Sequence, residues 1–396
     1  MHHSGNRSRL KDGITFVEYD SLVTSSSLWD TLVTNPFLKS SYLSIVEESV
    51  QTPMDFRYLL FFRNDRPVGV AYFQIYPYST RYSFKSLRES QGGSLPDRLK
   101  GWLADKVKMH ALVCGNLMIT GEHGFEFQPD ISDEDRIRLV LGAMEKVFSD
   151  LKYEYPSFHL YFIKELSQLS DKYSSDMLQQ NEFYRFQVQP SMMMKFDRNW
   201  KAPDDYLLDL KSKYRLRMRK ARERARDLIS RKLNLEEITK AESTIHSLFQ
   251  EVVDDADFHM VDLKAGYFAR LKKGLEAQFQ FQAYYEEDEM IGFISYLVDD
   301  GRLFAHFTGF RRDLNTAYDL YLNILLDLIN IAILEGHQEI DFSRTAMEIK
   351  SSVGAIPQDM YGYLKHDQFI PNFLLGKIFR YFYPGEDWQQ RRPLKN

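Results

Sequence analysis

The strongest constraint on the fold lies between Phe279 and Thr345. This stretch opens with two strand-like runs, FQFQAYY and MIGFISYLV, separated by a short acidic turn. A third extended run, Arg302 to Phe310, follows a second turn, and a long helical pattern then ends at Gly336. A short run, EIDFSR, closes the stretch. The order predicts three antiparallel strands, an amphipathic helix and a further strand.

The same order of elements occurs earlier in the chain. A predicted hairpin around Gly69 is followed by a strand-like run from Met109 to Gly121, a helix pattern from Ser132 and a strand, FHLYFI. The residues themselves hardly match, so the repeat is one of element order. We therefore predict two related α/β domains; the alternative is one large irregular α+β domain.

Composition restricts the classes of protein that fit. A length of 396 residues favours two domains, and a formal charge of -5 argues against a nucleic-acid binder that works through overall charge. Cys114 is the one cysteine, which excludes an intramolecular disulfide and a cysteine-based zinc cluster, and no metal is expected. The polar start and the lack of a membrane-length apolar run lead us to expect a cytoplasmic protein.

The expected domain limits follow from these patterns. Residues 1–13 are predicted to be a disordered lead-in, 14–190 an N-terminal domain that is structural or shapes the acceptor cleft, and 191–396 a C-terminal domain that binds the donor. The polar segment from Ser79 to Asp97 is predicted to be a loop. The C-terminal tail, NFLLGKIFRYFYPGEDW, fits either a helix packed on the second domain, which we favour, or a peripheral membrane contact.

A basic segment opens the second domain, and we predict a helix over residues 205–228. Its nine cations are Lys211, Lys213, Arg215, Arg217, Arg219, Lys220, Arg222, Arg224 and Arg226. They form either an ordinary solvated face or a surface for an anionic ligand. The ligand in the second case is a cofactor phosphate, a nucleotide-bearing precursor, tRNA or an anionic membrane.

Four segments together resemble the Fem-type branch of the GNAT superfamily and its bacterial acyltransferase relatives. They are LKSKYRLRMRKA, GFRRDLNTAYDLYL, EIDFSRTAMEIKSSVGAIP and the terminal DWQQRRPLKN. The resemblance covers the chain from about Ser25 onward. It implies two tandem GNAT-like domains, each with a mixed, largely antiparallel sheet flanked by helices. It also implies acyl or aminoacyl transfer to an amine, often in the assembly of cell-wall or lipid precursors.

The resemblance also implies a donor site. GNAT enzymes hold the acyl-CoA pyrophosphate on a [Q/R]-x-x-G-x-[G/A] loop that leads into a helix, because free backbone N–H groups bind anions. Here the matching residues read R-x-x-N-x-A, and asparagine tolerates left-handed dihedrals. The expected cofactor-binding residues are Phe307, Thr308, Gly309, Arg311, Arg312, Asn315, Thr316 and Ala317. The matching junction in the first half, from Asp130 to Asp135, is acidic and repels pyrophosphate.

The candidate catalytic residues follow from the chemistry of amide formation. His306 is a candidate base on the third strand, where Phe304 and Thr308 are expected on the same face, and a hydrogen-bonded structural histidine is the alternative. Asp341 and Lys350 match positions that are polar in the resembled branch, so the resemblance implies that either orients substrate, and membership of a structural ion pair is the alternative for each. Tyr363 is a candidate proton donor to the leaving thiolate.

The predicted function is therefore N-acylation of an amine by acyl-CoA. Two alternatives stay open at this point. One is a Fem-type transferase that uses aminoacyl-tRNA, for which the basic segment contacts the RNA. The other is a catalytically degenerate GNAT pair that acts as a binding module, consistent with the asparagine in place of the first glycine of the loop.

Overall fold

The computed structural model describes residues 7–10, 13–23, 25–79, 108–155, 157–255, 260–382 and 388–395. The chain forms two compact units. Unit 1 comprises Met1–Val188, Asp257–Leu263 and Asp359–Gly385; unit 2 comprises Gln189–Ala256, Lys264–Gln358 and Glu386–Asn396. The first division falls close to the expected limit at residue 190, but 359–385 belongs to unit 1, whereas we expected it in the second domain.

The secondary structure agrees with the α/β pattern predicted from the sequence. The strands are β1 (Arg7–Arg9), β2 (Ile14–Tyr19), β3 (Asp55–Arg63), β4 (Arg66–Ser79), β5 (Lys108–Cys114), β6 (Phe125–Phe127), β7 (Phe158–Ser167), β8 (Tyr184–Lys195), β9 (Ile229–Lys232), β10 (Phe279–Glu286), β11 (Glu289–Asp299), β12 (Arg302–Phe310), β13 (Glu339–Asp341) and β14 (Ile356–His366). The helices are α1 (Ser26–Leu32), α2 (Ser40–Ser49), α3 (Asp133–Glu154), α4 (Gln168–Gln180), α5 (Pro203–Asp209), α6 (Ser212–Arg224), α7 (Leu235–Lys240), α8 (Glu242–Asp255), α9 (Tyr267–Leu275), α10 (Arg312–Tyr318), α11 (Leu320–Glu335), α12 (Met347–Ser352) and α13 (Phe369–Phe382).

Unit 1 is built on a mostly antiparallel sheet. Its strands follow the order β1-β2-β3-β4-β5-β7-β14, and the β5–β7 pair is parallel. The buried face of α3 packs on this sheet, and Ser132 caps the helix by accepting a hydrogen bond from the Asp135 N–H. The expectation of a disordered residue 1–13 lead-in is wrong for Arg7–Arg9, which pairs with β2.

Unit 2 repeats the same order of elements. Strands β10, β11 and β12 are antiparallel neighbours, and β13 then lies parallel to β12. The crossover between β12 and β13 runs through α11, whose buried apolar side chains form much of the core of this unit. A hairpin, a third strand, a helix and a fourth strand therefore occur in both units, as the sequence predicted, and in both the fourth strand is parallel to the third.

The predicted long helix after β12 is two helices. The chain adopts a left-handed conformation at Asp319 (φ 46°), and α10 and α11 meet there at 68°. The predicted end is confirmed, because α11 stops at Glu335 and Gly336 follows with φ 73°. The predicted basic helix over 205–228 is also divided, into α5 and α6.

The C-terminal helix differs from the favoured prediction. We expected it to pack on the second domain, but α13 belongs to unit 1. Phe369, Ile370 and Phe373 are 75%, 71% and 72% exposed, so the first turns of α13 present large apolar side chains to solvent.

Two further points concern the extent of the chain. Most of the predicted loop from Ser79 to Asp97 lies outside the described residues. In the part of the chain that the structure describes, no single helix has the length and apolarity to cross a membrane; the bent pair α10–α11 meets those two criteria only when taken together.

Candidate active site

In unit 2, β13 ends at Asp341, so the parallel pairing of β12 with β13 stops at Phe304. Their pairing covers only Arg302 to Phe304, opposite Glu339 to Asp341, whereas β12 continues to Phe310. Past the last pair, the Ser343 hydroxyl donates to the Ala305 carbonyl at 3.1 Å. An opening at the carboxyl ends of parallel strands is where α/β sheets commonly bind ligands. We call the stretch of β12 from Ala305 to Phe310 the open edge.

A β-bulge interrupts the open edge. Ile294 pairs with Thr308 and Tyr296 with Ala305, so His306 and Phe307 together lie opposite Ser295. The expectation that Phe304 and Thr308 share a face is therefore wrong, because the bulge places Thr308 on the face of Ala305. A bulge was not visible in the sequence, although a polar serine within the apolar run of β11 was the available signal.

Ser295 satisfies the backbone of the bulge. Its hydroxyl accepts a hydrogen bond from the Phe307 N–H at 3.1 Å and lies at the same distance from the Phe307 carbonyl. The Thr308 hydroxyl donates to the Phe293 carbonyl at 2.8 Å. These polar groups of the expected donor-binding residues are thus engaged with β11, so a ligand at the open edge has to meet other groups of β12.

His306 is held between two hydroxyl groups. Its Nε2 lies 3.0 Å from the Tyr267 hydroxyl and its Nδ1 3.3 Å from the Ser295 hydroxyl. Burial lowers the pKa of His306 to about 3, so the imidazole is neutral near neutral pH. A neutral ring with so low a pKa is a weak proton acceptor, and its contacts suit a positioning role better than that of a base.

The loop after β13 has an uncommon backbone. Ser343, Thr345 and Ala346 have φ values of 60°, 67° and 47°. Residues other than glycine adopt this left-handed region at a cost of about 1–3 kcal/mol each, and such strain is concentrated at functional sites. The Lys350 ammonium donates to the carbonyls of Ser343 at 3.2 Å and Arg344 at 2.6 Å, which holds the loop in place.

Lys350, which is buried, and Asp341, which is partly buried, lie on either side of this loop. Asp341 accepts hydrogen bonds from the Ser191 hydroxyl at 2.6 Å and the Ser343 N–H at 2.7 Å, and burial raises the pKa of its carboxyl. Burial lowers the pKa of Lys350 from 10.5 to about 7, against the opposing effect of the Asp341 charge. A lysine that titrates near neutral pH is suited to proton transfer.

The structure thus brings two of the four candidate catalytic residues to one loop. Asp341 and Lys350 both contact Ser343, and Ser343 reaches the open edge at Ala305. The sequence did not single out Ser343, and the signal available there was only its place beside Asp341.

Tyr363 has a different setting, in unit 1. Its hydroxyl donates to Asp171, which also binds Arg185 at 2.7 Å. Burial and this hydrogen bond raise the pKa of Tyr363 above its ordinary value, so its proton is more firmly held. These contacts indicate a structural hydrogen-bond network within unit 1.

The segment that matches the phosphate loop is helical. Residues Arg312 to Ala317 lie in α10, and the Arg312 N–H donates to the Glu251 carboxylate at 3.2 Å. Arg311 binds the carboxylates of Asp313 and Glu289. Three carboxylates therefore surround the junction that we expected to attract an anionic cofactor.

Asn315 and Gly309 have structural roles in the same region. The Asn315 side chain accepts a hydrogen bond from the Tyr321 N–H at 2.9 Å and so caps α11 after the break. Gly309 allows α8 to approach β12, since a Cβ there would lie 2.7 Å from backbone atoms of Leu248 and Phe249. The asparagine that replaces the first glycine of the loop thus stabilises the bend between α10 and α11.

The nine cations of the basic segment, most of them on α6, fall into two groups. Arg222, Arg224 and Arg226 bind carboxylates within unit 2. For the other six, the described residues provide no carboxylate within 4.0 Å; we call this set the basic strip, and it consists of Lys211, Lys213, Arg215, Arg217, Arg219 and Lys220. A concentration of unpaired positive charge on a mostly exposed helix favours an anionic ligand.

Comparison with known proteins agrees with this fold. Residues 212–351 match the family described as acetyltransferase (GNAT) domain. FemX is similar at 10% identity and a TM-score of 0.52, over 89% of this chain and 98% of that one. No curated protein matches the chain by sequence.

Two other solved structures are similar at lower TM-scores. One is a tandem GNAT protein from the clavulanic acid biosynthesis pathway, with 10% identity, a TM-score of 0.49 and coverage of 90% of this chain and 99% of that one. The other is L-PGS from Bacillus licheniformis, with 9% identity, a TM-score of 0.47 and coverage of 87% and 96%.

These findings define the class of protein. The predicted GNAT-type acyltransferase domain is confirmed for residues 212–351, and the chain has a two-domain fold like that of FemX. More particularly, unit 2 carries the acetyltransferase (GNAT) domain, and both the open edge and the loop at Ser343 lie within the matched residues.

Proposed function

We propose that the protein transfers an acyl group from acyl-CoA to an amine, and that the reaction takes place at the open edge of β12. The end of the β12–β13 pairing at Phe304 and Asp341 carries this proposal. An extended amide chain, such as the pantetheine arm of CoA, pairs well with a strand edge through backbone hydrogen bonds. The thioester then lies beside the loop that holds Asp341 and Lys350.

Lys350 is the proposed proton acceptor. The amine attacks the thioester carbon, a C–N bond forms, the C–S bond breaks, and the ammonium proton must be removed. With a pKa of about 7, Lys350 is partly neutral near neutral pH and can take that proton. Backbone N–H groups of the open edge stabilise the oxyanion, and the departing thiolate is protonated to the thiol.

Asp341 and His306 act as positioning residues in this proposal. Asp341 fixes Ser343 and thereby the loop that directs Lys350. His306 stays neutral, and its hydrogen bond with the Tyr267 hydroxyl connects the bulge to α9.

The dependence of the rate on pH tests the role of Lys350. Release of CoA from acetyl-CoA with a panel of primary amines should rise through pH ~7 as Lys350 loses its proton, because only the neutral amine accepts one. The Lys350→Arg variant should lose at least ~100-fold in rate together with that inflection. His306→Gln should keep it, since His306 does not titrate there.

The matched control is Lys232→Arg, at an exposed lysine of unit 2 that pairs with Glu335. An unchanged inflection in Lys350→Arg would show that another group is the base. An intact far-UV spectrum and melting temperature in each variant separate loss of chemistry from loss of fold.

The basic strip favours a second candidate, transfer from aminoacyl-tRNA. Six cations without carboxylate partners suit a polyanion better than they suit one pyrophosphate, and α10 begins among carboxylates. Thermal-shift titration with acetyl-CoA, a long-chain acyl-CoA and charged tRNA separates the two. Stabilisation by charged tRNA alone supports the second candidate, and stabilisation by none supports a binding module.

The acceptor and the place of action are the remaining parts of the proposal. The Fem-type resemblance favours an amine on a cell-envelope or lipid precursor, and the exposed face of α13 at Phe369, Ile370 and Phe373 suits contact with a membrane surface. Flotation with liposomes of phosphatidylglycerol and phosphatidylcholine tests this contact. Equal flotation of the chain and of its Phe369→Ser, Phe373→Ser variant would exclude a contact through this face.

A further inference from the structure

We propose that unit 1 contains a binding site for one divalent transition-metal ion, best matched to Zn²⁺, formed by His159, His366 and Asp367. This site lies outside the acyl-transfer machinery. Two histidines and a carboxylate are ligand types that zinc commonly takes, and their ligand atoms all lie within 4.8 Å of one another.

The spacing of the donor atoms supports a shared ion. Nδ1 of His159 lies 3.0 Å from Oδ1 of Asp367, and Nδ1 of His366 lies 3.3 Å from the same oxygen. Ligands at ~2.0–2.1 Å from a tetrahedral zinc ion stand roughly 3.3 Å apart. The pairs that share Asp367 Oδ1 are therefore already close to the separation within one coordination shell.

Regular secondary structure positions the three ligands. His159 is on β7, and His366 ends β14 opposite Leu160, the next residue of β7. The Asp367 N–H donates to the His159 carbonyl at 2.9 Å, and the two imidazole rings are nearly parallel, 7° apart, with centroids at 5.3 Å. Ligands fixed by a strand pair change little on metal binding, which favours affinity.

The hydrogen bonds leave an electrostatic conflict that a cation resolves. The Gln368 N–H donates to Nδ1 of His366 at 3.0 Å, so this nitrogen carries a lone pair and no proton. It nevertheless lies near the Asp367 oxygen, which is also an acceptor. A metal ion between them replaces this repulsion with two bonds, and Gln368 is exposed, so water can solvate its released N–H.

His159 presents a ring nitrogen to the shared carboxylate oxygen. Its Nδ1 donates to Oδ1 of Asp367 in the absence of metal. Metal binding replaces this hydrogen bond with a bond from Nδ1 to the ion. The side chain of His159 is 29% exposed, against 9% for Asp367, so solvent can supply the fourth ligand from the His159 side.

Lys152 is the competing cation. Its ammonium contacts Oδ2 of Asp367, the oxygen that does not face the histidines. The alternative is that Lys152, Asp367 and the two histidines form an ion-pair cluster that binds no metal. The two explanations predict different effects of Lys152→Met: removal of the ammonium tightens metal binding if the three ligands share an ion and leaves it unchanged if they do not.

The experiment is a Zn²⁺ titration followed by calorimetry and by thermal melting. All variants carry His2→Ala and His3→Ala, which removes the adjacent histidine pair near the N-terminus as a competing ligand. Protein is first stripped with EDTA. We expect one Zn²⁺ per chain and a melting temperature raised by about 5 °C when free Zn²⁺ is ~100 times the Kd.

Three substitutions and a control decide the assignment. His159→Gln and Asp367→Asn should each weaken binding at least ~10-fold, and Lys152→Met should strengthen it several-fold. The control is His246→Gln, at a histidine of unit 2. Asp367→Asn keeps the shape of the side chain, so it remains informative if His159→Gln melts early.

Two results would overturn the proposal. One is the absence of saturable Zn²⁺ binding in the parent chain. The other is an affinity in Asp367→Asn and Lys152→Met that equals that of the His246→Gln control.

Discussion

Each unit contains one parallel strand pair beside a buried lysine, and the two pairs differ. In unit 1, β5 and β7 pair from His110 to Cys114, and the buried Lys164 binds Glu165 at 2.7 Å. In unit 2, β12 and β13 pair only to Phe304, and within the described residues no carboxylate lies within ion-pair distance of Lys350. The same topology thus gives one closed pair and one open pair.

The loops at the ends of these strands show the same difference. In unit 1, Glu165 accepts a hydrogen bond from the Gly121 N–H, and Lys164 donates to the Ile119 carbonyl, so the loop after β5 is held against β7. In unit 2, the loop after β13 is bent through left-handed residues around Lys350. The buried lysine of unit 1 holds a closed strand end, whereas that of unit 2 stands beside an accessible strand edge.

Substitution of Lys164 and of Lys350 should produce the largest measurable difference between the two units. Lys164→Met removes the ammonium that lies 2.7 Å from the buried Glu165 carboxylate, so the free energy of unfolding should fall by about 3–5 kcal/mol. Lys350→Met leaves two carbonyls without this donor but removes no ion pair. The free energy of unfolding should therefore fall by only about 1–3 kcal/mol. Urea unfolding of both variants measures the difference.

Activity gives the control for this pair. Lys164→Met should retain acyl transfer at temperatures where it is folded, whereas Lys350→Met should not. Equal losses of activity in both variants would mean that the open edge of unit 2 is not the site of acyl transfer.

Local patterns in the sequence predicted the order of elements. Strand-like runs separated by turns predicted β10, β11 and β12, the helix pattern from Ser132 predicted the start of α3, and Gly336 predicted the end of α11. These signals depend on neighbours in the chain and so can be read without the tertiary structure.

Long-range contacts decided the features that the sequence did not predict. The break at Asp319 is held by Arg224 from α6, a residue far away in the chain. The pKa of Lys350 depends on burial, which no local pattern shows. His159 and Asp367 are 208 positions apart, so their proximity follows only from the pairing of β7 with β14.

Charge reversal at the starts of α10 and α3 tests whether the two units differ in binding the donor. If the start of α10 holds the acyl-CoA pyrophosphate, Arg311→Glu with Arg312→Glu should weaken acyl-CoA binding about 100-fold or more. The matched control in unit 1 is Asp133→Lys with Glu134→Lys at the start of α3, which should change nothing. Calorimetry with acetyl-CoA measures both.

A small effect of the double reversal would support the alternative donor site on α6. Arg311 is already bound by Asp313 and Glu289, so its charge is partly offset before any ligand arrives. In that case Arg219→Glu with Lys220→Glu in the basic strip should produce the larger loss of binding to charged tRNA.

The stability of unit 2 should depend on pH through Lys350. Its pKa is lower in the folded chain, about 7 against 10.5, so the unfolded chain binds more protons between these values. The free energy of unfolding therefore rises with pH across this window, and this gain disappears as the pH falls from 10.5 to about 7. Between pH ~7 and ~9 the gain attributable to Lys350 should be on the order of 2 kcal/mol.

The difference between the parent chain and Lys350→Met isolates this contribution, because other groups titrate equally in both. Urea unfolding at several pH values measures it. A difference that stays constant from pH ~7 to ~9 would show that Lys350 remains protonated in the folded chain. Lys350 would then be a structural donor to the loop at Ser343, and the contrast with Lys164 would concern strand pairing alone.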